Sequence, residues 1–191
     1  MEKKVNKGGR KKENPLDEPA VRRSPTKKVN GKKKGSDYEL VVAKLLGAWW
    51  GESFQRTPAS GGLRWQKDNR IMGDIVTPPD SKFPFVVECK KREGWVLDQW
   101  MTGAGEMEKW WIQVTADADR SGTLKPMLIF SKNFAKNYVM MYEEDFTPMV
   151  DGVVTPHMTL HTKGIKPRII VLLDDLMEKH SKESILHHFD I

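Results

Sequence analysis

Acidic and basic side chains meet at the end of one apolar segment, FPFVVECKKREGW at residues 83–95. The segment begins as a buried β-strand and ends on Glu88, Cys89 and Lys90. Because the side chains of a strand alternate between two faces, Glu88 and Lys90 share one face. Two interpretations stay open here: the strand runs out into solvent with this pair of charges neutralising each other, or the pair belongs to a reactive site.

A second carboxylate, Asp74, lies in the preceding apolar segment, IMGDIVT at 71–77. The short turn PPDSK at 78–82 predicts that the two segments form a hairpin, and a turn centred near residue 81 sets Asp74 opposite Glu88. Two carboxylates at that distance repel each other unless a cation lies between them. The pairing therefore predicts two carboxylates and one ammonium group at the same end of a sheet.

Such a group of side chains suits phosphodiester hydrolysis. Mg²⁺ is typically held by one or two carboxylates together with water and phosphate oxygens, and the bound ion polarises a phosphodiester and activates water. We therefore expect Asp74 and Glu88 as metal ligands, the backbone carbonyl of Cys89 as a third ligand, and Lys90 as the catalytic base or as a stabiliser of phosphoryl charge. The acid–any–Lys pattern alone is uninformative, since it also occurs at Asp80–Lys82.

Hydrophobic periodicity predicts the elements that must position these residues. Apolar residues at helical spacing begin after Ser36 as N-cap, and interrupted helical composition follows the Glu–Cys–Lys strand, with Gly103 and Gly105 in its first turns. The predicted order is a helix at 36–50, strands at 53–57, 71–77 and 83–90, a helix at about 98–119, strands at 126–130 and 138–142, a weaker β region that includes 168–173, and a final helix from Asp174. This order predicts an α/β (α+β) domain with a central mixed β-sheet flanked by helices.

Charge is distributed unevenly along the 191 residues. Residues 1–34 contain 13 Lys/Arg and 4 Asp/Glu, a balance of +9, whereas the remainder contains 19 and 22, a balance of −3. We expect a disordered basic tail at 1–34, a core domain at 35–142 and an extension packed on it at 143–191. The tail is either a solubilising segment or an arm that follows a phosphate backbone through Lys32, Lys33 and Lys34.

Composition narrows the class of protein. The chain lacks an apolar run of about 18 residues, which argues against a membrane span. Its one cysteine excludes an internal disulfide framework and favours a cytoplasmic protein.

Several motifs, in this order, resemble the PD-(D/E)xK nuclease superfamily, and within it the archaeal and phage Holliday junction resolvases. The opening helix GSDYELVVAKLL, the loop QRTPASGG, and the strands GDIV, VVECKK and PMLIF resemble the family's core over residues 35–131, and WWIQVTADA resembles its following helix. The resemblance implies a restriction-endonuclease-like core and a Mg²⁺- or Mn²⁺-dependent homodimer that cuts branched DNA in recombination or repair, in the host cytoplasm if a phage encodes it. It also implies catalytic roles for Asp74, Glu88, Lys90, Glu39 and Gln113, with Glu39 pointing at the metal as a further ligand, and DNA-binding loop positions for Arg56 and Ser60. Gly73 stands where the family has proline, a departure of little expected consequence.

Some of these residues have a second interpretation. Ser36 and Glu39 form a capping box, in which the acid would satisfy the helix start and not a metal. Arg56 and Ser60 lie in a glycine-containing loop that can hold phosphate or can be an ordinary turn, and Lys91 is a further candidate DNA contact.

The tryptophans are also open to two readings. Trp65, Trp95 and Trp100 either stack on unpaired bases or form core or dimer contacts. Of the adjacent Trp110 and Trp111, at most one is expected to face inward.

The expected function is that of a structure-specific DNA endonuclease. Two alternatives remain: a nuclease of the same fold that acts on another DNA substrate, of restriction, flap or repair type, and a non-catalytic basic DNA-binding module.

Overall fold

The computed structural model describes residues 31–58, 72–103, 105–150, 152–162 and 164–189. The predicted tail up to residue 30, Ser60 and Trp65 lie outside these ranges. The elements, in chain order, are α1 (Gly31–Trp50), β1 (Gln55–Arg56), β2 (Ile75–Val76), β3 (Phe85–Lys91), α2 (Leu97–Met101), α3 (Glu106–Ser121), β4 (Lys125–Ser131), β5 (Tyr138–Tyr142), α4 (Glu143–Met149), β6 (His157–Thr162), β7 (Ile165–Leu172), α5 (Leu173–Lys179) and α6 (Lys182–His188).

A mixed five-stranded sheet forms the centre of the fold, in the order β3–β4–β5–β7–β6. Strands β3 and β4 are parallel, and every other pair in this sheet is antiparallel. The parallel pair requires a crossover, which α2 and α3 supply. The predicted mixed sheet flanked by helices is thereby confirmed.

Two apolar layers cover the two faces of the sheet. Alternate β3 residues point to opposite faces, so Phe85, Val87 and Cys89 pack beneath α1 whereas Val86 packs beneath α2 and α3. Helices α4, α5 and α6 complete the α1 layer. Because Glu88 has the parity of Val86, it lies on the α3 side, next to the helix that carries Gln113.

Helix α1 begins at Gly31, five residues earlier than predicted. The run of lysines at 32–34 looked like part of a tail, but lysine is a good helix former and continues the helix in the N-terminal direction. Tyr38, Val42, Leu46 and Trp50, four residues apart, form the buried stripe that fixes α1 on the sheet. Ser36 is therefore not an N-cap.

The predicted break near Gly103 and Gly105 is confirmed. Both glycines have positive φ, 65° and 91°, and separate α2 from α3. Helix α3 ends at Gly122, whose left-handed conformation (φ 77°) lets its N–H reach the carbonyls of Ala118 and Asp119.

Residues 143–191 contribute two strands to the sheet. Strand β7 lies between β5 and β6, and α4 packs through Phe146 and Met149 into the α1 layer. Helix α4 was not predicted, since Pro148 near its end reads as a helix breaker in the sequence. The predicted final helix is two helices, α5 and α6.

The tryptophans in the described part of the chain are mainly packing residues. Trp95 and Trp100 are buried, so the stacking interpretation is wrong for these two. Trp110 and Trp111 are both buried, contrary to prediction, because α3 packs against the sheet and also against α2. No helix among the described residues combines the length and apolar character that crossing a bilayer requires.

Candidate active site

Asp74 lies beside β3, but not through the predicted hairpin. Strand β2 pairs with β1 and not with β3, and the residue before Asp74, Gly73, forms an isolated parallel bridge with Val87. The Asp74 N–H donates to the Val87 carbonyl (2.7 Å), and the Asp74 side chain accepts from the Cys89 N–H through Oδ2 (2.8 Å). The hairpin prediction is wrong, although Asp74 does lie beside the strand that carries Glu88, as predicted.

Gly73 makes this approach possible. Its φ is 73°, and a Cβ at this position would lie 2.4 Å from the Val87 carbonyl oxygen. Thr57 holds the same segment from the other side, since its hydroxyl donates to the Gly73 carbonyl (2.9 Å) and its N–H to the Asp74 carbonyl (2.9 Å). The replacement of proline by glycine, expected to matter little, is a requirement of the local backbone.

Glu88 is buried at the edge strand and faces α3. The residue is only 1% exposed, which excludes the interpretation that the strand runs out into solvent here. Lys90 Nζ forms an ion pair with Glu88 Oε1, and Gln113 Nε2 donates to the same oxygen (2.7 Å). Lys90 Nζ also donates to Gln113 Oε1 (3.3 Å), so the three side chains form a closed hydrogen-bonded group.

The two carboxylates are difficult to ionise in the metal-free protein. Burial raises the pKa of Glu88 to about 7, with a further rise from the charge of Asp74, while Lys90 opposes both. Burial likewise raises the pKa of Asp74 to about 6, against the Cys89 N–H. A bound cation would relieve this accumulation of negative charge. Burial also raises the pKa of the Cys89 thiol well above its usual value, so Cys89 contributes backbone and not a thiolate.

Glu39 lies in the third turn of α1 and is not a capping residue. Its Oε2 pairs with Arg56 Nη1 (3.2 Å), and the same guanidinium nitrogen donates to Ser36 Oγ (3.4 Å). The charge of Glu39 contributes to the raised pKa of Asp74. Glu39, Arg56 and Asp74 line one cleft of about 450 Å³, together with Arg92.

One acid near the site was not predicted. Asp117 lies on α3 one turn after Gln113, is largely buried and pairs with Arg120. Its charge adds to the raised pKa of both Asp74 and Glu88. The four-residue spacing from Gln113 on a helix face was the signal in the sequence.

The predicted donor set for a cation is the two side-chain carboxylates of Asp74 and Glu88 and the backbone carbonyl of Cys89, while Glu39, also a predicted ligand, lines the same cleft as Asp74. Within the described ranges, no three acidic, histidine or cysteine side chains come close enough to enclose an ion. The hydrogen bonds above engage Oδ2 of Asp74 and Oε1 of Glu88, one oxygen of each carboxylate. This set fits Mg²⁺, which keeps several waters and takes one or two carboxylates, better than an ion that needs a complete protein cage.

Among the described residues, the predicted DNA-contacting cations line either a neighbouring cleft or the 450 Å³ cleft that contains Asp74. Lys32 lines it near Arg56, and Lys33 is exposed on the first turn of α1. Lys34 pairs with Glu93 (2.6 Å), and Lys91 Nζ lies 5.0 Å from the centre of the Tyr38 ring. These placements bring the cations to one side of the molecule, and their contact with DNA stays a prediction.

Comparisons with known proteins identify the family. Residues 30–187 match the family described as "Phage putative PDDEXK endonuclease". The chain is 28% identical over 163 residues to Protein D14 of Escherichia phage T5, covering 83% of this chain and 98% of that protein. No solved structure matches the chain. Since the family match spans most of the chain, including the region after residue 143, the protein belongs to this family of phage PD-(D/E)xK endonucleases.

Proposed function

We propose that the protein is a metal-dependent endonuclease that hydrolyses phosphodiester bonds in branched DNA, in the manner of a Holliday junction resolvase. The observation that carries this proposal is the half-buried Asp74 beside the buried Glu88, with Lys90 and Gln113 bonded to Glu88, at the edge of β3. A scaffold gains nothing from placing two carboxylates where both lose much of their contact with water, because each is costly to desolvate.

The chain's residues have distinct roles in this proposal. Asp74 and Glu88 would hold Mg²⁺ or Mn²⁺ through the carboxylate oxygens that do not already accept these hydrogen bonds, with the Cys89 carbonyl as a third donor. The bound ion supplies Lewis acidity to a phosphoryl oxygen and a lowered pKa for the attacking water.

Lys90 and Gln113 act on the other side of Glu88. Lys90 either stabilises negative charge on the phosphoryl oxygens as an ammonium or, once it has lost its own proton, accepts one from the attacking water. Gln113 fixes the orientation of Glu88 and Lys90 by bonding to both. Glu39 and Arg56 set the charge beside Asp74, and Arg56, Lys32 and Arg92 line the cleft in which a phosphate backbone would lie.

The substrate is the finer part of the proposal. Membership of an endonuclease family supports DNA, and the similarity to a phage protein supports action in the cytoplasm of an infected host. The preference for four-way junctions rests on the resemblance of the core motifs to resolvases. A junction has two equivalent strands to cut, which a two-fold homodimer would meet with one site on each.

A cleavage assay tests the proposal. The wild-type chain is incubated in Mg²⁺, in Mn²⁺ and in EDTA with a four-way junction, a flap and a linear duplex. We expect paired symmetric nicks in the junction, an intact duplex and no product in EDTA. Preferential cutting of the flap or the duplex would assign a different substrate within the same fold.

Variants locate the chemistry. Asp74→Ala, Glu88→Ala and Lys90→Ala should abolish cleavage and retain junction binding. Asp80→Ala is the matched control, since Asp80 belongs to the other acid–any–Lys motif among the described residues and is exposed in a turn. Cleavage by Glu88→Ala at the wild-type rate, or metal-independent binding without cleavage by the wild type, would reject this site.

A further inference from the structure

A second cleft runs alongside the proposed active site. It measures about 1010 Å³ and lies between the first turns of α1, the residues after β3 and the turn that joins β4 to β5. Its walls carry four cations and two acids, with Lys33, Lys91 and Arg92 among the cations. Gly31 and Arg92 also line the 450 Å³ cleft that contains Asp74, so the two clefts adjoin and form one basic groove.

Phe134 lines this groove and is unusual in both its exposure and its backbone conformation. It is 108% exposed, as much as in an open chain, and its φ is 57°. A bulky side chain in the left-handed region is strained, and glycine or asparagine would fit the turn at lower cost. An exposed phenylalanine recovers none of this cost through burial, so neither stability nor turn geometry accounts for the residue.

The turn that presents Phe134 is held in place on both sides. The Ser131 hydroxyl lies 3.0 to 3.3 Å from the carbonyl oxygens of Lys132, Ala135 and Lys136. The Asn133 N–H donates to both oxygens of Glu93 (3.1 and 3.3 Å). Glu93 in turn pairs with Lys34 of α1 (2.6 Å). The strained residue is thus fixed by its surroundings, which is typical of ligand-binding positions.

We propose that Phe134 stacks on a DNA base that is unpaired or displaced from the duplex, while Lys33, Lys91 and Arg92 hold the adjacent phosphates. The inference rests on the proposed function, because it assumes that the adjoining cleft receives DNA for cleavage. Aromatic side chains beside a basic groove bind single-stranded bases without strong sequence preference. The enzyme would thereby favour DNA with open or branched structure over continuous duplex. Among the described residues this task falls to Phe134, since Trp95 and Trp100 are buried.

Binding measurements test this role without any cutting. The full chain carrying Glu88→Gln is titrated in EDTA with a perfect duplex and with a duplex containing one bulged 2-aminopurine. We expect tighter binding of the bulged duplex and a change in 2-aminopurine fluorescence on stacking. Phe134→Ala should weaken binding of the bulged duplex on the order of ten- to a hundredfold and abolish the fluorescence change. Phe134→Trp should retain the tight binding and the fluorescence change. Phe134→Leu should lose both because it has no aromatic ring, although it keeps an apolar side chain of similar bulk.

Salt dependence and a matched control separate stacking from charge. Lys33→Gln and Lys91→Gln should each reduce the slope of log affinity against log salt by about one, whereas Phe134→Ala should leave it unchanged. Val154→Ala removes another highly exposed apolar side chain, 89% exposed and outside the groove, and should change neither readout.

Each result decides between the proposals. If Phe134→Ala keeps both the preference for the bulge and the fluorescence change, the stacking role is wrong, even where the wild type cuts DNA in Mg²⁺. If Phe134→Ala alters the mass of the protein in light scattering and leaves the fluorescence change intact, Phe134 is a contact between copies and the inference also fails. Absence of metal-dependent cleavage by the wild type, with base stacking retained, would reject only the proposed function.

Discussion

Gln113 donates a 2.7 Å hydrogen bond to the oxygen of Glu88 that also accepts from Lys90, which ties α3 to the end of β3. The amide holds both the acid and the base of the proposed site, although it is 25 residues from Glu88 in the sequence. Its removal should therefore disturb two groups through one change.

Gln113→Ala should reduce the cleavage rate and raise the Mg²⁺ concentration needed for half-maximal cleavage. Residues that orient a ligating carboxylate typically contribute ten- to a hundredfold to metal affinity or activity, and we expect a loss of about that size. Cleavage rate against Mg²⁺ concentration gives the maximal rate and the half-saturating concentration. Ile112→Ala, an exposed neighbour on α3, is the control. Unchanged half-saturation in Gln113→Ala would mean that the amide does not position Glu88.

Gly73→Ala should displace Asp74 and destabilise the fold. The added Cβ would lie 2.4 Å from the Val87 carbonyl oxygen and would also force alanine into a positive φ. The strain of positive φ alone costs about 1–2 kcal/mol, and the clash adds to it. We expect a loss of cleavage together with a lowered free energy of unfolding in a urea titration.

A matched glycine isolates the two effects. Gly51 has the same φ of 73° but open space where its Cβ would lie, so Gly51→Ala reports the strain without the clash. Gly51→Ala should destabilise less than Gly73→Ala and keep its cleavage activity. Equal behaviour of the two variants would show that the close approach of Gly73 to β3 is not what holds Asp74.

The contact of Gly73 with β3 shows why the sequence predicted the residues of the site better than the backbone pairing that brings them together. The apolar strand before Glu88 and the alternation of its faces are local features. The hydrophobic pattern therefore predicted that Val86 and Val87 are buried and that Glu88 and Lys90 share one face. The position of Asp74 depends on a close backbone contact between two segments, which turn length does not encode. A hairpin was therefore predicted where a parallel bridge exists.

Other differences have the same origin. The insertion of β7 between β5 and β6 is a long-range pairing, which no periodicity in residues 165–172 reveals. The start of α1 at Gly31 was hidden by a lysine run that composition assigns to a tail. Phe134 was overlooked because only its backbone conformation and exposure set it apart.

Glu108→Ala should be strongly destabilising. Glu108 pairs at 2.8 Å with Arg168, which is fully buried between Trp100 and Trp111, with ring centres 5.8 and 5.9 Å from its guanidinium carbon. Removal of the acid leaves a buried charge without its ion-pair partner, a loss of about 3–5 kcal/mol in the free energy of unfolding. Urea titration measures the loss.

Two further variants test this explanation. Glu106→Ala removes an exposed acid two residues earlier, whose pair with Lys109 is open to solvent, and should cost at most about 1 kcal/mol. Replacing both members of the buried pair, Glu108→Leu with Arg168→Met, should recover most of the stability that the single change loses. If the double variant is no more stable than Glu108→Ala, the loss comes from packing and not from the unpaired charge.

The free energy of unfolding of the metal-free protein should fall as pH rises from about 4 to about 7. The pKa of Asp74 is raised from 3.8 to about 6 and that of Glu88 from 4.5 to about 7, in both cases chiefly by burial. In this window the folded state binds more protons at these two sites than the unfolded chain does, so stability is lost with increasing pH.

Denaturant titrations in EDTA at several pH values measure the slope of the free energy of unfolding against pH, and Glu88→Gln should reduce the total change by on the order of 2 kcal/mol across the window. Asp80→Asn, at an exposed turn, should leave the slope unchanged. Added Mg²⁺ should stabilise the wild type most at pH 8 and least at pH 5, because binding requires both carboxylates to be ionised. A wild-type slope equal to that of Glu88→Gln would show that Glu88 ionises normally in the folded protein, and the electrostatic argument for a cation at this pair would then fail.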